Sequence, residues 1–189
     1  MKDDQQEAFE RVLSATLARI LDLLKFAEAK NAALLTFASA WILGSINLLM
    51  GSAKLTGDWR ISFIVALPLF ALAGLIAIVS FLPKMLLSVF HQDPEQSKAL
   101  LYFGDAASFA PAAYRDRVRD RYYPPENESA TRNYLDDLSI QIAVVSQITK
   151  RKLQFFNWGA LIVLIALAAL AIPAIRAVWQ LVAPRLGVS

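Results

Sequence analysis

The chain of 189 residues contains no cysteine and a single histidine, His91. Without cysteine there are no structural disulfides, no cysteine-ligated zinc, no iron–sulfur clusters and no thiol catalysis. One histidine leaves no histidine-rich metal site and no set of histidine acid–base partners. Charge is scarce as well: Asp, Glu, Lys and Arg make up 19% of the chain, against about 25% in soluble domains. Nineteen Lys and Arg stand against sixteen Asp and Glu, a net charge of +3. The basic residues are scattered among acids. That pattern fits solvated faces flanking a membrane rather than a nucleic-acid surface, so no nucleic-acid partner is expected. What the chain has in excess is apolar surface, with 57% hydrophobic residues and a mean hydropathy of +0.45. This composition excludes a disordered chain, a collagen and a disulfide scaffold. It also speaks against a purely soluble protein.

Three apolar runs reach the roughly 20 residues that a bilayer crossing requires. They are Asn31–Met50, Ile61–Pro83 and Phe155–Ile175, and none contains Asp, Glu, Lys, Arg or His. Three such runs leave too little polar chain to cover them as buried core helices. The opening stretch MKDDQQEAFE is polar and acidic, unlike a signal peptide, so the first run is expected to act as an uncleaved anchor. Lys and Arg near the run ends set the orientation. Lys54, Arg60, Arg176 and Arg185 fall on one side, and Lys25, Lys30, Lys84, Lys150, Arg151 and Lys152 on the other, four against six. The bias places the N-terminus and residues 84–154 in the cytoplasm, with the C-terminus outside. Trp59, Trp158 and Trp179 lie at or just beyond run ends, as interfacial anchors do.

Within the first run, Ala32, Thr36, Ala40 and Gly44 recur every four residues, as do Ala73 and Ala77 in the second. Small residues at this spacing let helices approach closely in lipid, within one chain or between chains. Thr36, Ser39, Ser45 and Asn47 are the polar candidates for an inter-chain interface, with ordinary interhelical hydrogen bonding as the alternative. Pro68 should bend the second run, Pro173 should bend or end the third, and Pro83 marks the exit of the second.

Outside the runs, residues 4–30 read as an amphipathic helix with Leu13, Leu17, Ile20, Leu24 and Ala27 on one face. No Gly or Pro separates it from the first run, so one long helix is expected. Residues 131–154 carry a stripe of Leu135, Leu138, Ile142 and Val145 and should likewise continue into the third run. Between them, Gln92-Asp93-Pro94-Glu95 starts a short helix. Phe109-Ala110-Pro111 starts another, with Ser108 as its N-cap, and Tyr122-Tyr123-Pro124-Pro125 ends it. The expected fold is all-α: an integral membrane protein with three transmembrane helices, two of them extended into a small cytoplasmic helical domain. Its divisions are a cytoplasmic amphipathic helix (1–30), a transmembrane hairpin (31–83), a cytoplasmic helical segment (84–154), and a third transmembrane helix with a short outer tail (155–189).

Catalytic motifs are absent: there is no Walker A loop, no GxGxxG, no HExxH and no GxSxG. No enzyme activity, metal or cofactor is expected. Asp136 and Asp137 are adjacent carboxylates that point in different directions on a helix and read as a hydrated face. Arg115, Arg117, Arg119 and Arg121 alternate with Asp116 and Asp120. They form a salt-bridged surface helix or, alternatively, an anion site for phosphate. Three segments stand out further. One is Phe26-Ala27-Glu28-Ala29-Lys30-Asn31 at the membrane boundary. The second is Tyr102-Phe103-Gly104-Asp105, followed by Ser108–Tyr114. The third runs from Asp137 and Gln141, which share a helix face, through Ser146 to Lys150-Arg151-Lys152.

The order and spacing of these segments over residues 10–175 resemble the membrane effectors of the pyrimidine cyclase antiphage system, Pycsar. The resemblance implies a function. A phage-activated cyclase makes a cyclic pyrimidine mononucleotide, cUMP or cCMP. The effector senses it in the cytoplasm, oligomerises or rearranges, and disrupts the inner membrane before phage release. Such a site needs a cation for one phosphate, an aromatic face for a base, and polar groups for the base edge and 2′-OH. Candidate ligand contacts are Glu28, Lys30, Tyr102, Phe103, Asp105, Asp137, Gln141, Lys150 and Lys152. Candidate positions for a pore or helix interface in a homo-oligomer are Thr36, Ser39, Ala40, Gly44 and Asn47. The alternative reading is a non-enzymatic adaptor or structural membrane protein that docks a cytoplasmic partner. A lipid head-group enzyme built on Asp136, Asp137 and the Arg115–Arg121 stretch lacks a coherent catalytic set.

Overall fold

The structure, a computed structural model, describes residues 2–51, 55, 57–82, 100–101, 106–123 and 130–183. Four helices lie among these residues: α1 (Lys2–Met50), α2 (Gly57–Phe81), α3 (Pro111–Tyr122) and α4 (Ala130–Val182). No strand occurs among them. Three helices, α1, α2 and α4, are long and apolar enough to cross a membrane. The helix start expected at Gln92–Glu95, and Pro83, lie outside the described residues.

The two continuities expected from the lack of breakers are present. α1 runs unbroken over 49 residues and α4 over 53. At about 1.5 Å per residue each is far longer than the roughly 30 Å of a hydrocarbon core. Pro68 lies inside α2 and Pro173 inside α4. Pro173 does not end its helix, which continues to Val182. A proline removes one backbone donor and crowds one carbonyl, and the flanking turns carry the helix past it.

The described chain divides into two compact units, Met1–Phe26 with Leu82–Arg151, and Ala27–Phe81 with Lys152–Ser189. The second unit is a three-helix bundle. Its core is Leu34, Phe63, Ala66, Phe70, Ala73, Ala77, Val163, Ala166 and Leu170. On α1 the buried positions are Ala27, Asn31, Leu34, Ala38 and Ser45; on α4 they include Gly159, Val163, Ala166 and Leu170. Alternating steps of four and three are the seam of coiled-coil-like packing. Small residues alternate in this seam with Leu and Val, and opposite Leu34 the small residue is Gly159, where the helices approach closely. A Cβ added at Gly159 would come within 2.5 Å of Leu34 Cδ2. Trp41 stacks on Phe70, with ring centroids 5.5 Å apart and planes 10° apart. The outward side of the bundle is apolar: Leu43, Ile61, Leu75, Leu164 and Ile175 are all more than half exposed.

The Ala32, Thr36, Ala40, Gly44 stripe is not the inner seam of α1. Ala32, Thr36, Ser39, Ala40 and Asn47 are exposed, and Gly44 is half-buried with open space around its Cα. Thr36 Oγ1 donates to Ala32 O of its own helix at 3.0 Å. Ser45 is fully buried and its hydroxyl has no partner. Ala73 and Ala77 do belong to the core.

In the first unit, α4 contributes the buried residues Leu135, Leu138, Val144 and Val145. Leu100 is also buried, and its carbonyl accepts a 2.9 Å hydrogen bond from the Tyr114 hydroxyl. The start of α3 differs from expectation. Ala110, not Ser108, is the N-cap, and it makes no side-chain cap bond. Pro111 sits in the first helical turn, where its fixed φ suits the helix. It holds Ala110 extended at φ −64°, ψ 145°. At the other end the Tyr123 N–H donates to Arg119 O at 2.8 Å.

Candidate functional site

The first unit holds a polar cluster at the C-terminal turn of α3. Arg121 pairs side-on with Asp137 of α4: Nε donates to Oδ2 at 2.6 Å and Nη2 to Oδ1 at 2.5 Å. The Tyr122 hydroxyl donates to Oδ2 as well. Asn133 Nδ2 donates to the Arg121 carbonyl at 2.9 Å, and Tyr134 meets the Tyr122 ring edge-on at 6.5 Å. Asp137 is 2% exposed, so it is not part of a hydrated face; Asp136 beside it is exposed. A carboxylate can be buried here because three donors replace its water. The hydrogen bond to Asp137 raises the Arg121 pKa above its ordinary value. Burial, and then the hydrogen bond to Asp137, raises that of Tyr122.

The second unit holds a polar collar where its helices carry their first charges. Lys152 Nζ of α4 donates to Glu28 Oε1 of α1 at 2.8 Å and lies 5.8 Å from the Phe81 ring centroid of α2. One ammonium therefore contacts all three helices of the bundle. Its side chain is only 15% exposed. Asn31, fully buried, donates through Nδ2 to Ala27 O at 2.9 Å and to Lys152 O at 3.0 Å. Its Oδ1 has no partner. Lys30 Nζ sits 5.0 Å from the Phe156 ring centroid, a cation–π distance.

Of the candidate ligand residues, Glu28, Lys30 and Lys152 thus gather in the collar, with Glu28 and Lys152 bonded to each other. Asp137 is engaged by Arg121 and Tyr122. Gln141 is half-buried and Lys150 exposed. Tyr102, Phe103 and Asp105 lie outside the described residues. Residue patterns did not single out Asn31 as a tie between helices. Its signal was a lone amide opening an apolar run. A cleft of about 240 Å³ lies elsewhere in the bundle, lined by Asp58, Ile61, Ser62, Val65, Ala169, Ile172, Pro173 and Arg176. Arg176 and Asp58 pair there at 3.3 Å. None of the candidate ligand residues lines it. Among the described residues no group of three acidic or histidine side chains converges as a metal set.

Fold and clusters define an all-helical protein of transmembrane type, whose polar side chains tie helices together. Residues 12–179 match the Pycsar effector protein domain, PycTM. The chain belongs to the Pycsar effector family, the effectors of the pyrimidine cyclase antiphage system. One relative, the Pycsar effector protein RsPycTM of a Rhizobium species, is 41% identical over 163 residues. That alignment covers 86% of this chain and 93% of the relative. No solved structure matches.

Proposed function

We propose that this Pycsar effector is a multi-pass inner-membrane protein with a cytoplasmic N-terminus. It senses a cyclic pyrimidine mononucleotide, cUMP or cCMP, and disrupts the membrane in response. The observation that carries this reading is the family match over residues 12–179 on a chain with three membrane-length helices. α1 and α4 each pass without a break from charged sequence into an apolar run, which supports a mechanical route from sensor to membrane. Ligand acts by shifting the population toward a second conformation. It does so from the side of residues 84–154, where Tyr102, Phe103, Asp105, Gln141 and Lys150 remain candidate contacts. Glu28, Lys152 and Asp137 already hold partners that a ligand would have to displace. No single chain lines an aqueous path, because the apolar runs carry no charge. Damage therefore takes several copies, and the exposed face of Thr36, Ser39, Ala40 and Asn47, with Gly44, is the face offered to a second copy.

The test is membrane potential in bacteria that express the chain and receive cUMP, cCMP or neither. Depolarisation with one nucleotide alone is the expected outcome. Depolarisation without nucleotide makes the chain a constitutive toxin. No response from membrane-inserted protein overturns the sensing reading.

A further inference from the structure

Arg121 is not placed like an ordinary surface arginine. Its Nε and one Nη2 hydrogen are spent on the buried Asp137 carboxylate. Side-on pairing of this kind uses one edge of the guanidinium and leaves the other edge, with its paired donors, pointing away from the carboxylate. The Arg121 side chain is 40% exposed while that of Asp137 is 3% exposed, so the carboxylate side faces the protein and solvent reaches the guanidinium. The side chain is thereby held in one rotamer, and the entropy of ordering a flexible cation has already been met. Arg117, exposed, lies one helical turn back on the same face of α3. Two like charges at that spacing repel, and an anion between them relieves the repulsion. Immediately after Arg121 and Tyr122 comes Tyr123, whose side chain is 79% exposed at the helix C-cap. An exposed aromatic residue two positions after an oriented guanidinium supplies the two groups a nucleotide uses: a planar fork for phosphate and a ring face for a base.

We infer that the C-terminal turn of α3 is a nucleotide-phosphate site, in which Arg121, oriented by Asp137 and supported by Arg117, binds the phosphate and Tyr123 stacks the base. The inference rests on the nucleotide-sensing reading above and deepens it. It places phosphate recognition on α3 rather than on the candidate lysines Lys30, Lys150 and Lys152. Asp137 touches no ligand in this arrangement; it is a positioning residue.

The experiment uses the full chain purified in lipid nanodiscs and titrated calorimetrically with cCMP, cUMP and inorganic phosphate. Removing Arg121 alone would strand a buried carboxylate, so the pair is removed together as Arg121→Met with Asp137→Leu. Replacing a buried ion pair by apolar residues of similar volume is tolerated by folds in general. Circular dichroism and melting check that the double variant is folded. It should bind nucleotide about 10- to 100-fold more weakly, the worth of a charge-assisted pair. Asp137→Asn keeps one of the two acceptors that hold the guanidinium, so its nucleotide affinity should fall between that of the parent chain and that of the double variant. Tyr123→Ala should weaken nucleotide binding about tenfold and leave phosphate binding unchanged. A folded double variant with parental affinity overturns the inference while nucleotide sensing stands. So does an Asp137→Asn variant that loses binding as fully as the double one. A parent chain that binds neither nucleotide overturns the sensing reading itself, and this inference with it.

Discussion

Lys152 and Glu28 are 124 positions apart in the sequence and 2.8 Å apart in the bundle. Their role is separable by charge reversal. Lys152→Glu sets two carboxylates side by side and should lower the melting temperature of the purified chain. Adding Glu28→Lys should restore it if the pair is a tie between helices. A double variant that regains stability but not nucleotide-triggered depolarisation would return Lys152 to the ligand. A second prediction concerns pH. Tyr122 and Arg121 titrate above their ordinary values when folded. Groups of this kind add stability that is fully present below the unfolded pKa, about 10 for tyrosine, and lost as pH rises through the folded value. The Arg121–Tyr122–Asp137 cluster should therefore loosen as pH rises through the alkaline range. Absorbance titration should show a late-ionising tyrosine that Tyr122→Phe removes; an unchanged titration curve would contradict the burial seen here. At this scale the sequence was only partly legible. Both members of the collar pair stood out as boundary charges, yet nothing in a linear pattern joins them. Asp137 read as hydrated because its partners, Arg121 and Tyr122, sit on another helix.

At the scale of elements, legibility was better, because length, hydropathy and the absence of Gly or Pro are local properties. They gave α1 and α4 as continuous helices and α2 as a separate apolar one. The failures are local too. Ser108 matched a cap by residue type, but a proline three residues on moved the cap to Ala110. Pro173 looked capable of ending a helix that in fact continues to Val182. The contact between α1 and α4 is testable at Gly159. Gly159→Ala brings a methyl against the tip of Leu34, Cδ2; its overpacking cost of about 1–3 kcal/mol is offset by the roughly 1 kcal/mol that a helix interior gains from Ala over Gly. Leu34→Ala makes room, so the double variant should lose less stability than the two single changes summed. Strict additivity in a thermal or denaturant melt would show that the helices do not meet at this point.

For the whole molecule, the decisive question is which side of the membrane each end occupies, and the lack of cysteine makes it accessible. Gln5→Cys and Gln180→Cys place single thiols on exposed residues near the two ends of the described chain. A membrane-impermeant maleimide should label Gln180→Cys in intact spheroplasts and Gln5→Cys only after permeabilisation. The reverse pattern would invert the orientation drawn from Lys and Arg counts.

The outward aliphatic surface of the bundle carries one more consequence. Leu43, Ile61, Leu75 and Leu164 stand open on the outside of the second unit, and in water such a surface drives aggregation. A protein with this exterior has no soluble reserve form. On the function proposed above, every copy would sit from birth in its own target, and restraint of the resting conformation would be what protects the cell between infections.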